Sequence, residues 1–415
     1  MRGAAAALIK RALALRLRNA TPATFRTLQA RTLLTPTPAE AFTLGVEEEY
    51  QLIDAQTGGL QSGALQVLAG DWSGDLKAEM QQNTVEVGTR VCATASGVRD
   101  ELIRLRMQAA VAADARECLL LAAGTHPFSD WHGQDFTPQA VYQQIRRDYR
   151  RLADSQNIFG MHIHVAVPEE TDRAQVMNAV RWYLPHLLAL TASSPFFLGS
   201  DTGHDSYRAI LWRRWPRTGA PPRFASEAEF QQLLRLLLDT GRIDGPGRLY
   251  WDLRPHHEYR TLEFRIADVT PRLDDAVVAA ALARGVVAAA AQGLLADPPL
   301  PDSVLHPVLC ANIHRAARDG LDAEVVEFVG AEARAVPMRT ALLKLTEVLA
   351  PVVTPLGDAE AWAMLPALLE RGGAARRIRE QHTAFGGDHR RLAFWMAAET
   401  VLGTGMDRRG EQREV

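Results

Sequence analysis

Three stretches of this chain read as β-strands with two unlike faces, and that pairing constrains the fold more than any other feature. In FTLGVEEEYQLID, Phe42–Asp54, side chains of an extended backbone alternate. Phe42, Leu44, Val46, Tyr50 and Leu52 therefore share one face, and Glu47, Glu49 and Gln51 share the other. Glu48 falls on the apolar face and breaks it. In GMHIHVAV, Met161, Ile163, Val165 and Val167 oppose His162 and His164; in TLEFRI, Leu262, Phe264 and Ile266 oppose Thr261, Glu263 and Arg265. Such strands need a core under one face and an occupant for the other.

Water could be that occupant, since antiparallel sheets often leave one face solvated. Solvated faces usually mix Lys, Ser and Thr with Glu, however, and this chain has only three lysines, Lys10, Lys77 and Lys344, among 46 basic residues. Same-face carboxylates about 7 Å apart repel by roughly 2 kcal/mol at an effective dielectric near 20, tolerable in water and costly in a cleft without cations. A fourth segment, KAEMQQNTVEVGT, adds Glu79 and Glu86, the latter alternating with Val85 and Val87. A metal site is favoured over a solvated face. The His-x-His pair alone would fit zinc, but the surplus of carboxylates favours Mg²⁺, with Mn²⁺ as the variant. The chain has no G-x-x-x-x-G-K-[ST] loop, so clustered divalent ions suggest a nucleotide held through its phosphates.

At 415 residues and a net charge of -3, the chain can bury a sizeable core and gives no electrostatic reason to bind nucleic acid. Three scattered cysteines, Cys92, Cys118 and Cys310, argue for a reducing compartment and hence the cytoplasm. Cys310 is expected buried at a helix start. No apolar run reaches about 18 residues, so no stable membrane insertion is expected. Residues 1–39 hold seven basic residues and no acid before Glu40. A disordered leader is favoured there over a surface-binding amphipathic helix or a transit peptide.

The predicted organisation is α+β: a leader over 1–40, then one catalytic domain over 41–415. Its sheet core covers about 42–272 and its helical part about 273–410. Thr35–Ala41 reads as a linker. Helices are predicted over 97–116, 138–155, 172–193 (with Pro185 inside) and 226–240. A long loop is predicted over 194–224, and almost everything from Leu273 onward reads as helix. Trp212 and Trp215 read as packing residues more than as a base-stacking pair, His126 as a turn cap or a ligand-facing residue with equal weight, and His256 and His257 as loop residues.

Taken in order, TLGVEEEYQLID, KAEMQQNTVEVGTRVC, GTHPFSDW, FGMHIHVAVP, ASSPFFLGSDTGHDSYRAILWRRWPRTGAPP, WDLRP and TLEFRIADVTP resemble the carboxylate–amine ligases, or type 2 glutamate–cysteine ligases, across about 42–325. The resemblance implies a glutamine-synthetase-like fold, in which a curved, mostly antiparallel sheet forms a funnel for ATP and Mg²⁺. It implies attack of a carboxylate, typically the γ-carboxylate of glutamate, on ATP, then capture of the acyl phosphate by an amine such as that of cysteine. By the same resemblance Glu47, Glu49, Glu79, Glu86, His162 and Glu263 hold metal, and His164 and Arg265 contact the nucleotide. Glu263 and Arg265 act in catalysis, and Arg208, Arg315 and Arg318 bind substrate. Glu48 is structural. Arg260 and His314 stand where the family pattern has glycine and tryptophan, both near presumed substrate contacts. Small-molecule substrates are the implied partners, and a homodimer is left open. A metal-dependent hydrolase built on His162, His164 and the glutamates, or a non-catalytic nucleotide or metal binder, are the competing readings.

Overall fold

The computed structural model describes residues 38–70 and 75–404. Most of the basic leader and the start of the proposed linker lie outside them; the linker's end, Pro38–Ala41, is a helical turn. The principal sheet is built from β1 (Leu44–Asp54), β2 (Leu76–Ala78), β3 (Thr84–Gly88), β4 (Cys118–Leu121), β5 (Gly160–Ala166), β6 (Leu253–Pro255) and β7 (Thr261–Asp268), in the order β6-β7-β5-β1-β3-β2 with β4 also on β1. All its pairings are antiparallel. β1 is the hub: residues 44–48 pair with β5, 47–51 with β3 and 51–54 with β4.

Burial follows the alternation. Leu44, Val46, Tyr50 and Leu52 are sealed, as are Met161, Ile163 and Val165 and, on β7, Leu262, Phe264 and Ile266. Two helices pack on this underside, α1 (Ala95–Asp114) and α6 (Leu273–Ala291). Thr94 caps α1 by accepting the Gly97 N–H. α6 is apolar almost all round and correspondingly buried on nearly every side.

Glu48 is fully buried there and carries its own counter-charge. Arg106 of α1 donates Nε to Glu48 Oε2 at 3.0 Å and Nη2 to Oε1 at 2.6 Å, while the Tyr50 hydroxyl donates to Oε2. Arg106 also donates to the carbonyls of Thr270, Pro271 and Thr400. One guanidinium thus joins the first strand, the loop before α6 and the C-terminal helix His389–Val401.

Several predicted elements differ. The helix over 138–155 splits at Arg150, whose φ is +52°, into α2 (Ala140–Tyr149) and a last turn. That over 172–193 divides into α3 (Arg173–Val180), a 3₁₀ turn and α4 (Leu184–Thr191), with Pro185 in the first turn of α4, where its missing N–H costs nothing. The loop over 194–224 contains α5 (Tyr207–Trp212), capped by Ser206. The helical C-terminal part is interrupted after α7 (Asp302–Asp319) by a hairpin, Glu324–Val329 with Glu332–Pro337. Cys310 is exposed in the middle of α7, not buried at its start.

Candidate active site

Strand register sets the charged side chains in a row across the other face. Glu86 on β3 stands opposite Glu49 on β1, Glu47 opposite His162 on β5, His164 opposite Glu263 on β7, and Glu263 opposite Arg254 on β6. All six strand positions before Arg254, together with Glu79, Arg208, Arg254 and Arg265, line a cavity of about 310 Å³. Arg265 faces the cavity beside Glu263 by strand alternation, at the start of a bulge in β7, and its N–H is caught by the Asp252 carbonyl at 2.7 Å.

At one end carboxylates crowd. Glu79 accepts from the Met80 N–H at 2.9 Å and the Tyr142 hydroxyl at 3.2 Å. Glu86 has Lys77 at 3.6 Å, a lysine that itself is largely exposed. Burial, then the negative charges of Glu79, Glu47 and Glu49, push the Glu86 carboxyl well above its usual range. A cation would relieve the same repulsion that a proton relieves here, so the donor set suits a hard divalent ion. His162 fits too. Its Nδ1 lies 3.0 Å from Glu47 Oε2 and donates to it, and its Nε2 is turned toward Glu49, 4.0 Å away. Burial would raise the Glu47 carboxyl, but hydrogen bonds and charge from His162 and His164 outweigh it and hold Glu47 far below the usual range.

The other end is cationic. Glu263 is buried and its oxygens are taken by two guanidinium groups: Arg254 Nε donates to Oε2 at 2.7 Å, and Arg265 Nη1 donates to Oε1. Burial alone would raise this carboxyl; Arg265 and Arg254 carry it well below the usual range. Glu263, expected as a metal ligand, is here also the counter-ion of two arginines. Arg254, fixed further by the carbonyls of Gly247 and Leu249, is the site residue that sequence reasoning missed. Its signal was the WDLRP segment, which pairs with β7. Arg208 is buried against Gly160, where any Cβ would collide with its guanidinium, and braces the bulge through the carbonyls of Arg265 and Ile266.

Arg315 and Arg318 are not brought to the cavity. They sit partly exposed on α7, each near Asp319. Arg260 is spent on the carbonyls of Pro168, Glu169 and Thr171, and His314 is exposed on α7, so neither family departure lines the cavity. Trp212 and Trp215 both line it, and Trp215 also packs on Tyr149 and Tyr250. His126 caps a turn, Nδ1 accepting from the Phe128 and Ser129 N–H groups.

Residues 43–393 match the family model described as glutamate–cysteine ligase family 2. Curated relatives named "Putative glutamate–cysteine ligase 2" include one from Roseiflexus castenholzii, 38% identical over 82% of this chain and 90% of its own length. Another, from Sorangium cellulosum, is 39% identical over 81% and 90%. Among solved structures, a bifunctional glutathione synthetase from Pasteurella multocida superposes with a TM-score of 0.65 at 15% identity. That match covers 88% of this chain and 53% of that longer one. A glutamate–cysteine ligase from Francisella tularensis in complex with AMP gives 0.58 at 12% identity, over 89% and 91%. At these identities the two structures speak for the fold.

Proposed function

This chain belongs to glutamate–cysteine ligase family 2 and is an ATP-dependent ligase that forms carbon–nitrogen bonds; from that premise we propose that it joins the γ-carboxylate of glutamate to the amine of a small molecule such as cysteine, in the cytoplasm, with release of ADP and phosphate. The observation that carries the reading is the division of one cavity into a carboxylate–imidazole end and a guanidinium end. A triphosphate bridged by divalent cations needs both.

In this reading Glu47, Glu49, Glu79, Glu86 and His162 hold Mg²⁺, with Mn²⁺ as a substitute. When bound, the metal screens the phosphate oxygens and draws charge from the phosphorus. Arg265, aimed by Glu263 and by its backbone bond to Asp252, stabilises the charge that moves as the γ-phosphoryl group passes to the substrate carboxylate. Glu263 thereby acts as a positioning residue. Arg208 offers a buried guanidinium to the substrate's α-carboxylate, and Nε is its unengaged donor. The amine then attacks the carbonyl carbon of the acyl phosphate, the C–N bond forming as the C–O bond to phosphate breaks; phosphate leaves, the amine gives up a proton, and no protein nucleophile is required.

A screen of amino acids and amines with ATP and Mg²⁺, read by ADP and phosphate release, tests this. ADP should appear only when a carboxylate and an amine are both present. AMP as product, or turnover without a divalent metal, would exclude the reading, and turnover without ATP would favour a metal-dependent hydrolase.

A further inference from the structure

Distances alone group His164, His256 and Glu263 as three metal-capable side chains, with ligand atoms within 4.8 Å of one another. The protonation of His256 argues otherwise. Its Nδ1 accepts two backbone N–H groups, from Glu258 at 3.2 Å and Tyr259 at 3.1 Å. A nitrogen that accepts two hydrogen bonds carries no proton, so the neutral ring must carry it on Nε2. Nε2 then offers an N–H and has no lone pair for a metal.

The same device occurs a second time. His126 Nδ1 accepts from the residues two and three positions on, Phe128 and Ser129, as His256 Nδ1 does from Glu258 and Tyr259. In His126 the Nε2–H is used inside the protein and donates to the Gly58 carbonyl at 2.9 Å. In His256 no acceptor among the described residues takes it. Glu263 does not; its oxygens accept from Arg254 and Arg265, and no hydrogen bond joins it to His256. The His256 ring lines the cavity, half-buried, with the His164 ring at 5.2 Å and Tyr259 stacked at 4.9 Å to hold its plane.

We propose that His256 is a nucleotide-binding residue that donates its Nε2–H to an oxygen of the triphosphate, and is not a metal ligand. This rests on the ATP-dependent reading of the site. The flanking guanidinium groups of Arg254 and Arg265 make this end of the cavity cationic, and a phosphate chain is the anion richest in acceptor oxygens that the reaction brings.

His256→Asn separates the two uses of the ring. An asparagine side-chain oxygen accepts from the N–H groups two and three residues on and so keeps the turn, but its short amide does not reach the cavity. The probe is a non-hydrolysable ATP analogue, adenylyl imidodiphosphate with Mg²⁺, titrated calorimetrically into the full chain. His256→Asn should bind it about tenfold more weakly, as for one lost hydrogen bond to a charged acceptor. Half-saturation by Mg²⁺ and the thermal midpoint should be unchanged, and His126→Asn should bind the analogue as the wild type does. Unchanged affinity in His256→Asn overturns the donor. So does a shift in Mg²⁺ half-saturation, which would mark a metal ligand, or a change confined to the amino-acid KM. A wild-type chain that binds no nucleotide overturns the ligase reading itself, together with this assignment.

Discussion

Glu47 and Glu48 are neighbours on β1, yet the two sides of the sheet treat them as opposites. Below, one carboxylate meets one guanidinium, and Arg106 spends its donors on Glu48 and three carbonyls. Above, Glu47, Glu49, Glu79 and Glu86 crowd one end of a cavity, and no arginine is paired with any of them among the described residues. The lower cluster is closed and neutral, so its chemistry is stability. The upper one carries an excess of negative charge with no arginine against it, and under the proposed function a cation would complete it. Burial of charge does not by itself mark a function; the imbalance does.

The largest effect should come from breaking the closed side. Glu48→Gln leaves Arg106 charged and half-paired in the core, and denaturant titration should show a loss of about 3–5 kcal/mol. Turnover per folded molecule should be unchanged. Reduced turnover at full stability would mean that the two faces are not separate.

On the open side, Arg265→Lys keeps a charge but loses the planar fork. Steady-state kinetics should show kcat down about a hundredfold, near 3 kcal/mol, with KM for ATP altered only a few-fold. A large KM effect at constant kcat would reduce Arg265 to a holder of ATP.

A smaller, pH-dependent effect belongs to Glu86. Its carboxyl is raised in the folded chain relative to the unfolded one, so between those two values the folded state holds the extra proton. In metal-free protein, stability from this group is complete below the ordinary glutamate pKa. It is lost as pH rises toward the raised value, by at most about 1.4 kcal/mol per pH unit. Glu86→Gln or saturating Mg²⁺ should flatten that slope in unfolding curves taken across pH; a slope that persists in both would assign it elsewhere.

The smallest effect is expected from Arg315→Ala and Arg318→Ala. Both side chains sit on the outside of α7, so every KM should stay as in the wild type. A raised substrate KM would show that α7 reaches the cavity during turnover.

The alternation that separates Glu47 from Glu48 was legible because period-2 patterning is local and survives in any strand with one buried face. Glu86, His162, His164, Glu263 and Arg265 could be placed on the polar faces of their strands for that reason; Glu79, beyond the end of β2, could not. Arg254 was not, because a lone arginine in WDLRP acquires meaning only from the β6–β7 register, which no local pattern encodes. The helix Tyr207–Trp212 is too short to show a period. The hairpin over 324–337 did leave a trace, a Gly330 at φ +62° between alternating segments, but the Ala- and Leu-rich helices around it dominated the reading. Arg315 and Arg318 had entered through motif likeness, which carries no geometry. The hydrogen-bond state of His256 needed backbone positions two and three residues on, and these exist only in the folded turn.

Arg106 also bears on how the chain is made. Translation delivers Glu48 early and Arg106 soon after, and residues 270–271 only after the whole sheet has emerged. The Thr400 carbonyl comes among the last, and its hydroxyl also accepts the Ala122 N–H beside β4. Until then Arg106 holds Glu48 and the carbonyls of Thr270 and Pro271 but lacks its third carbonyl, and the Ala122 N–H lacks its acceptor. A chain released before residue 400 would carry every proposed catalytic side chain, yet its C-terminal helix could not close on Arg106 and Ala122.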